Sequence, residues 1–581
     1  MKKYVSVGLF VAAFVLATMP APRLSAAPGP DQDRDRDRDH NLARDRHVLL
    51  ISIDGMHALD YENCVAANTC PHLAALGRTG VTYTRTSTSR PSDSFPGLMA
   101  LVTGGTPKTV GAFYDVAYDR VLAPPKTTTG NGLVGGTCTV GVINGTQTEY
   151  EEGVEINQAL VNGGGPYSTL DGGVLSIDPN KLERDPFNSC NPVYPWNFVR
   201  TNTIFGVIHA AGGYTAWSDK HPVYAAVSGP TGTSSPSNID DYYAPEVNSN
   251  VIALPGIKTA SGMDCSTIPD NTGGDWTTSF QDIQCYDQLK VNAVVNWING
   301  QTHLGGSSRA PVPVIFGMNF QAVSVGQKLI EGAINGGYTN AAGTPTASME
   351  SEFVFVDAAI GQMVTALENE HLLDRTTIII TAKHGQSPID PNRFFPIPGH
   401  SGTNGEPPST ILATFLPAAE TTGLGPTEDD ISQLWLTNES NTVTAVNILE
   451  TDAKEAGIGQ IFYGPSLTTM FNAPGVPITP GPCCKLRPGG DPRTPDIIVA
   501  PNVGVVYTTS AKKQSEHGGF AQDDTNVMLL VSNPAIEAKK VTSFVETMQV
   551  APTILQILGL DPTSLESVRN EGTPVLPGLF E

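Results

Sequence analysis

The stretch that decides the fold is residues 47–55, which reads HVLLISIDG. It is a short apolar run in which polar and apolar positions do not alternate. Such a run predicts a strand that is buried on both faces, as in a parallel sheet covered by helices. Further runs of this kind are residues 203–208, 312–316, 376–382, 497–500 and 527–531.

Helical patterns lie between these runs. Residues 550–558 form one such pattern, which ends before Gly559. A second pattern places apolar side chains on one face of a helix at Phe353, Val356, Ile360, Met363, Val364 and Leu367. We therefore predict an α/β fold with a mostly parallel central sheet flanked by helices, of the kind whose ligands bind beyond the carboxyl ends of the strands.

Two long stretches interrupt this alternation of strands and helices. Residues of about 120–200 and about 225–295 are rich in Gly, Asn, Thr, Ser and Pro. We predict that both are loop-rich insertions at one end of the sheet, where such folds build their substrate pockets. The insertions would belong to a single catalytic domain that spans residues 47–581.

The N-terminus has the features of a secretory signal peptide. Lys2 and Lys3 precede an apolar run over residues 4–19, and small residues follow up to Ala27. We predict cleavage near Ala26, so that residues 1–26 are the signal peptide. A membrane anchor is the alternative, but the apolar run is shorter than the roughly 20 residues of a spanning helix. The protein is then secreted or periplasmic, with no membrane span after cleavage.

Residues 27–46 contain a run of alternating Asp and Arg and can bury no apolar face, so we predict a disordered spacer. The eight cysteines of an exported chain indicate disulfide bonds. Cys64 with Cys70 and Cys265 with Cys285 would close local loops, and Cys138 with Cys190 would staple an insertion. Cys483 and Cys484 remain, and the sequence leaves the connectivity open.

The charge balance excludes one class of function. The chain has 34 Lys and Arg against 57 Asp and Glu, a formal net charge of −23. A protein that binds nucleic acid through a basic surface needs clustered cations, which this composition does not supply.

Several polar residues stand where an α/β sheet places its ligand-binding groups. Asp54 ends the first run, His384 follows residues 376–382, and Asn319 follows residues 312–316. Ser94 lies just before Pro96, which suits the first turn of a helix. A serine at a helix N-terminus is well placed to attack an anionic phosphoryl group, although it could equally be a helix cap.

The motifs together resemble the alkaline phosphatase superfamily, and within it the type I phosphodiesterase/nucleotide pyrophosphatase branch. The resemblance rests on HVLLISIDG, SDSFPGL, TTIIITAKHG and SEHGGF, which occur in the expected order. It implies hydrolysis of phosphodiester or nucleotide pyrophosphate bonds, with a small phosphorylated substrate as the partner. Ser94 would be the nucleophile that forms a covalent intermediate. Asp54, Ser94 and His384 would bind one divalent metal, expected to be zinc, and His517 would bind a second.

The sequence departs from the family pattern at three ligand positions. Lys383 stands where the family has a metal-binding carboxylate. Asn319 and Val323 stand where it has an aspartate and a histidine. Because zinc sites need three or four ligands, one ion or two remains open.

Three readings of these departures remain. Lys383 could supply positive charge near the phosphoryl oxygens, with Asn319 as a weak ligand, in a hydrolase with an altered metal site. Asp219 and His221 could rebuild a metal site from a loop, or simply form a loop ion pair with Lys220. Finally, the protein could be an inactive relative that acts as a binding protein. A phosphomonoesterase is a further alternative.

Overall fold

The structure is a computed structural model that describes residues 46–150, 173–267, 274–470 and 491–580. The predicted signal peptide, nearly all of the charged spacer, and Cys483 and Cys484 lie outside the described residues. Among the helices within these ranges, none is both long and apolar enough to cross a membrane.

The central sheet of the described chain has eight strands. In chain order they are β1 (His47–Ile53), β2 (Gly80–Tyr83), β3 (Ala216–Ser218), β4 (Asp241–Tyr243), β5 (Ile315–Phe320), β6 (Thr376–Thr381), β7 (Leu529–Ser532) and β8 (Lys539–Val541). Their spatial order is β8-β2-β7-β6-β1-β5-β3-β4.

This sheet is mainly parallel. β1 pairs in parallel with β5 on one side and β6 on the other, and β3 and β4 continue the parallel arrangement. Only β7 is antiparallel to its neighbours among these eight strands. The predicted fold class, an α/β protein with a mostly parallel central sheet flanked by helices, is therefore confirmed.

Strand β1 is buried on both faces, as its sequence predicts. Leu49, Ile51 and Ile53 pack into the hydrophobic core on one side of the sheet. Val48 and Leu50 pack into the core on the other side. Since neither face meets water, the strand needs no polar alternation.

One predicted strand is wrong. Residues 203–208 belong to a helix, Ile204–Ala210, whose N-terminus is capped by the Thr203 side chain. A short apolar run fits a buried helix as well as a buried strand, so periodicity alone does not separate them. Residues 376–382 match β6 closely, whereas only the last two residues of the run 312–316 belong to β5. Residues 497–500 form a strand in a second sheet, and residues 527–531 overlap the antiparallel β7.

The second sheet has four antiparallel strands and its own hydrophobic core. In spatial order its strands are Leu424–Glu428, Ser432–Leu434, Ile497–Pro501 and Ile458–Tyr463.

The stretch of about 225–295, predicted as a loop-rich insertion, supplies more than loops. It contributes β4 at the edge of the central sheet and the long helix Phe280–Ile298. Ser279 caps this helix by accepting hydrogen bonds from the backbone of the first turn. The disulfide pairs Cys64–Cys70, Cys138–Cys190 and Cys265–Cys285 are all present, so these three predicted pairs are confirmed.

The remaining described α-helices are Ala58–Ala66, Pro71–Gly77, Ser94–Thr103, Pro107–Val110, Pro195–Phe198, Ala322–Lys328, Ala347–Asn369, Pro408–Phe415, Thr442–Thr451, Pro465–Met470, Gln522–Thr525, Val550–Ile557 and Glu566–Glu571. The remaining short strands are Thr86–Ser87, Val116–Asp119, Thr146–Glu149, Arg184–Asp185, Asn191–Pro192, Ile330–Glu331, Ile334–Asn335, Phe395–Pro398, Val505–Thr508 and Val545–Glu546.

Candidate active site around Ser94

Four neighbouring parallel strands bring their carboxyl ends to one edge of the sheet. Asp54 directly follows β1, Asp219 follows β3, and Lys383 and His384 come just after β6. Asn319 lies within β5, one residue before its end, rather than after the strand as predicted. Residues from four distant parts of the sequence thus meet at the edge where ligands bind in such sheets.

The helix Ser94–Thr103 brings Ser94 to the same edge. Asp93 caps this helix: its Oδ2 accepts hydrogen bonds from the backbone N–H groups of Phe95 and Asp115, each at 3.1 Å. Gly97 lets the helix approach closely, because a Cβ at this position would collide with the backbone carbonyl of Lys383. The first turn of the helix is therefore held directly against Lys383.

Two nitrogen atoms contact the Ser94 hydroxyl. The Lys220 ammonium donates a hydrogen bond to Ser94 Oγ at 2.9 Å, and His384 Nε2 lies 3.2 Å from the same oxygen. His384 Nδ1 lies 2.8 Å from the Gly385 carbonyl oxygen, which can only accept. Nδ1 therefore carries a proton, and in the neutral ring Nε2 has the free lone pair that accepts the Ser94 proton.

Lys383 is the centre of a buried ion network. Its Nζ lies 3.3 Å from Asp54 Oδ2 and 3.3 Å from Asp219 Oδ1, and none of the three side chains is exposed. Burial would raise the pKa of Asp54, but Lys383 and His384 hold it well below its usual value. Burial would lower the pKa of Lys383, but the two carboxylates raise it above its usual value. Asp54 and Lys383 thus favour each other's charged forms.

Asn319 reaches this network through Gln321. The Gln321 side-chain amide donates to Asp54 Oδ2 and to Asn319 Oδ1, both at 2.7 Å. Beneath them, a buried ion pair between Lys290 and Asp287 holds the end of β5, because Lys290 Nζ donates to the Asn319 carbonyl at 2.5 Å. The Asn319 side chain thus orients Gln321 on Asp54.

His517 lies beside His384 and Asp93. Its ring centre lies 4.0 Å from that of His384, and its Nδ1 lies 3.5 Å from Asp93 Oδ1. Burial and the neighbouring His384 lower the pKa of His517 well below its usual value, so its ring is neutral. Burial and the nearby Asp115 raise the pKa of Asp93 well above its usual range.

In the structure, Asp219 and His221 contact different groups. Asp219 lies in the ion network, where Trp217 Nε1 donates to its Oδ2 at 2.9 Å. His221 Nδ1 instead lies 2.7 Å from Glu246 Oε1. The two side chains thus have different partners, and the structure does not bring them together around one ion.

The side chains do not fit the zinc ions that the resemblance implies. Among the described residues, no group of three or more His, Cys, Asp or Glu side chains is arranged to hold a metal. Asp54 Oδ1 has no hydrogen-bond partner, but the Ser94 hydroxyl, the third predicted ligand, already accepts a hydrogen bond from the Lys220 ammonium, which leaves Asp54 and His384, and zinc needs three or four ligands. The Lys383 ammonium also lies against the other Asp54 oxygen.

Three residues of this site were missed or undervalued in the sequence. Lys220 is separated from Ser94 by 126 positions, and nothing in its local sequence indicates the contact. Gln321 contacts Asp54 only because β5 lies beside β1. Asp93 could have been found, since an Asp before a helix that begins with Ser-Phe-Pro is a typical N-cap.

Comparison with known proteins identifies the family. Residues 48–227 and 326–524 match the family model "Type I phosphodiesterase / nucleotide pyrophosphatase". No curated protein matches the chain in sequence.

Solved structures that are similar include murine ectonucleotide pyrophosphatase/phosphodiesterase 5, at 12% identity, and an inactive variant of it in complex with AMP, at 11%. The human ectonucleotide pyrophosphatase/phosphodiesterase 5 is 13% identical. Each alignment covers 89% of this chain and 95–96% of the other, with a TM-score of 0.47. On the match to the family model, which spans well over half of its length, the chain belongs to the type I phosphodiesterase/nucleotide pyrophosphatase family.

Proposed function

We propose that this protein is an exported hydrolase that cleaves phosphodiester or nucleotide pyrophosphate bonds in small substrates through a covalent Ser94 intermediate. Its family consists of phosphate ester hydrolases. The observation that carries the proposal is the pair of contacts at Ser94 Oγ, with His384 on one side and Lys220 on the other. A nucleophilic hydroxyl needs both a proton acceptor and a nearby positive charge.

In the first step, Ser94 Oγ attacks phosphorus while His384 Nε2 takes the hydroxyl proton. The new Oγ–P bond forms as the bond from phosphorus to the leaving oxygen breaks. The Lys220 ammonium stabilises negative charge on the attacking oxygen. Asp54 Oδ2, at 3.5 Å from His384 Nε2, stabilises the imidazolium that forms. His384 then gives its proton to the leaving oxygen.

In the second step, water attacks the phosphorylated Ser94. His384, neutral again, removes a proton from the water as the new P–O bond forms. The Ser94–phosphorus bond breaks, and the proton returns from His384 to Ser94 Oγ. Each turnover thus consumes one water molecule, releases a phosphate or nucleotide monoester, and regenerates the free enzyme.

Members of the family generally use divalent metals. The two steps above assign nothing to a metal, because the donor atoms around Ser94 do not match the zinc ligand set. Asn319 has a supporting role in this scheme, since it orients Gln321 on Asp54.

The proposal of export, to a secreted or periplasmic location, draws support from the disulfides. The described chain contains three. Disulfides form and persist in oxidising compartments and are rare in reducing ones.

The test is turnover by the purified full chain. We expect hydrolysis of bis(p-nitrophenyl) phosphate and of a p-nitrophenyl nucleotide, and less hydrolysis of p-nitrophenyl phosphate, which reports monoesterase activity. Ser94→Ala should lower kcat by at least about 10³-fold, because it removes the nucleophile. The matched control is Ser89→Ala, which should leave kcat unchanged. Ser89 is half-buried and lies in the loop that precedes the Ser94 helix.

Acid quenching during turnover should trap a phosphoryl or nucleotidyl group on Ser94, detected by mass spectrometry of the peptide. Full activity in Ser94→Ala would refute the nucleophile assignment.

A second candidate function is that of a binding protein without hydrolysis. Ser94 has no exposed surface, and Lys383 stands where the family has a metal-binding carboxylate. This candidate predicts that the wild-type chain binds inorganic phosphate or a p-nitrophenyl nucleotide in calorimetry but turns over none of the three substrates.

A further inference from the structure

The Lys383 side chain occupies the position that a metal ion would need. Its Nζ is 3.3 Å from oxygens of both Asp54 and Asp219, and the side chain is completely buried. It also lies over the Tyr224 ring, 4.8 Å from the ring centre. A zinc ion bound by the same two oxygens would lie about 2.0–2.2 Å from each, in the space that the ammonium fills.

Charge compensation supports the same conclusion. Two buried carboxylates without a cation would be strongly destabilising, because buried charges must be paired. A carboxylate at position 383 would add a third negative group here and would require a bound cation. Lys383 instead supplies the cation through a covalent bond to the chain, and Lys220 adds a second ammonium beside Ser94.

The backbone that carries this ammonium is itself held in place. The Lys383 carbonyl accepts a hydrogen bond from the Thr88 hydroxyl and packs against Gly97 of the Ser94 helix. The Lys383 backbone is thereby tied to the same helix that presents Ser94. A loosely held lysine could move away to admit a metal. Here Thr88 and the Ser94 helix restrict the Lys383 backbone, and the ion pairs with Asp54 and Asp219 restrict its ammonium.

We propose that Lys383 is a built-in cation that replaces a divalent ion, so that the centre binds a phosphoryl group and acts without metal. The inference about catalysis rests on the proposed function. The inference about metal binding stands on the ion network alone. Lys383 touches the carboxylates rather than the substrate, so it acts as a positioning and charge-neutralising residue.

The first experiment uses the wild-type chain. After dialysis against a chelator, calorimetry should detect no zinc binding that depends on Asp54. The zinc isotherms of the wild type and of Asp54→Asn should therefore be the same. Turnover of bis(p-nitrophenyl) phosphate should be unchanged by the chelator. Zinc binding that disappears in Asp54→Asn, or turnover that is lost with the chelator and restored by zinc, would overturn the proposal.

The second experiment converts the centre. Lys383→Asp places three carboxylates and His384 around one position, so it should bind about one zinc ion per chain. The same charge change at the exposed Lys126, in Lys126→Asp, is the control and should bind none. A Lys383→Asp chain that folds, by circular dichroism, but fails to bind zinc would contradict the idea that Lys383 fills a metal position.

The two proposals can fail separately. If the wild-type chain hydrolyses nothing with or without zinc, the proposed function fails. The zinc isotherms of wild type and Lys383→Asp still decide the role of Lys383. If Lys383→Asp does not fold, the wild-type comparison with Asp54→Asn decides it alone.

Discussion

Ser94 is placed between two different nitrogen groups, and the two lysines near it have separate tasks. Lys220 is half-buried and donates directly to Ser94 Oγ. Lys383 is fully buried and contacts carboxylates instead. At the scale of residues, the positive charge of the site is therefore divided between an outer group that meets the reacting oxygen and an inner group that neutralises Asp54 and Asp219.

The orientation of Asp219 should depend on Trp217. Trp217→Phe removes the hydrogen bond to Asp219 Oδ2. We expect the free energy of unfolding to fall by about 1–3 kcal/mol, because a buried carboxylate oxygen loses its donor. We also expect kcat to fall, since Lys383 then binds a misplaced partner. Urea unfolding and turnover of bis(p-nitrophenyl) phosphate measure the two effects.

Trp276→Phe is the control for this change. Trp276 donates to Ser249 Oγ at 3.1 Å, a neutral buried partner outside the ion network. It should lose stability without losing kcat. Equal kcat values for the two variants would show that Trp217 has no role at the site.

At the scale of elements, the site depends on how closely the Ser94 helix approaches the turn after β6. A Cβ at position 97 meets the Lys383 backbone, which cannot move without displacing His384. Gly97→Ala should therefore lower the free energy of unfolding by about 1–3 kcal/mol. It should lower kcat as well, by up to about 10²-fold if the displacement reaches 1 Å.

Gly361→Ala is the matched control in the helix Ala347–Asn369. There the new Cβ would meet the His72 ring, a side chain that can rotate away. This variant should retain kcat and lose less stability. If Gly97→Ala retained full kcat, the helix would not be positioning Ser94 as argued.

Several elements could be predicted from the sequence and others could not. The runs that form β1 and β6 are correctly predicted as strands, and their apolar residues fill both faces of the sheet. Residues 203–208 are a similar apolar run but lie at the start of a helix. The Thr203 cap acts over one turn only, so it is a weak signal in the sequence and the helix was missed. The antiparallel direction of β7 depends on its neighbours and has no local signal.

The site divides in the same way. Asp54, Ser94 and His384 could be placed together because each follows a recognisable motif. The contact between Lys220 and Ser94 arises from strand order, so no local pattern predicts it. The resemblance to the family predicts that Lys383 replaces a carboxylate, but its two ion pairs required the structure.

At the scale of the whole molecule, buried carboxylates should make stability depend on pH. Burial raises the pKa of Asp524 to about 7, with Asp430 and Asp523 close by. In the unfolded chain its pKa is near the ordinary value of 3.8. Between these values the folded state holds a proton that the unfolded state has lost. The contribution of Asp524 to stability is therefore greatest at low pH and is lost as the pH rises to about 7.

Asp524→Asn removes this titration and keeps an acceptor for the Ala521 N–H. We expect the free energy of unfolding of the wild type to fall from pH 5 to pH 8, and that of the variant to fall less. Urea unfolding at the two pH values measures this difference. Parallel curves for the two proteins would show that Asp524 does not contribute.

The place of β7 in the sheet also constrains how the protein is made. β7 lies between β2 and β6, and in the described sheet β2 joins the parallel strands only through it. β2 is synthesised early, whereas β7 comes near the end of the chain. Until β7 has been synthesised, one edge of β2 has unpaired backbone N–H and C=O groups, which promote aggregation. The sheet can be completed only after the residues of β7 have been synthesised, so protection of the unpaired β2 edge until then is part of how this protein folds.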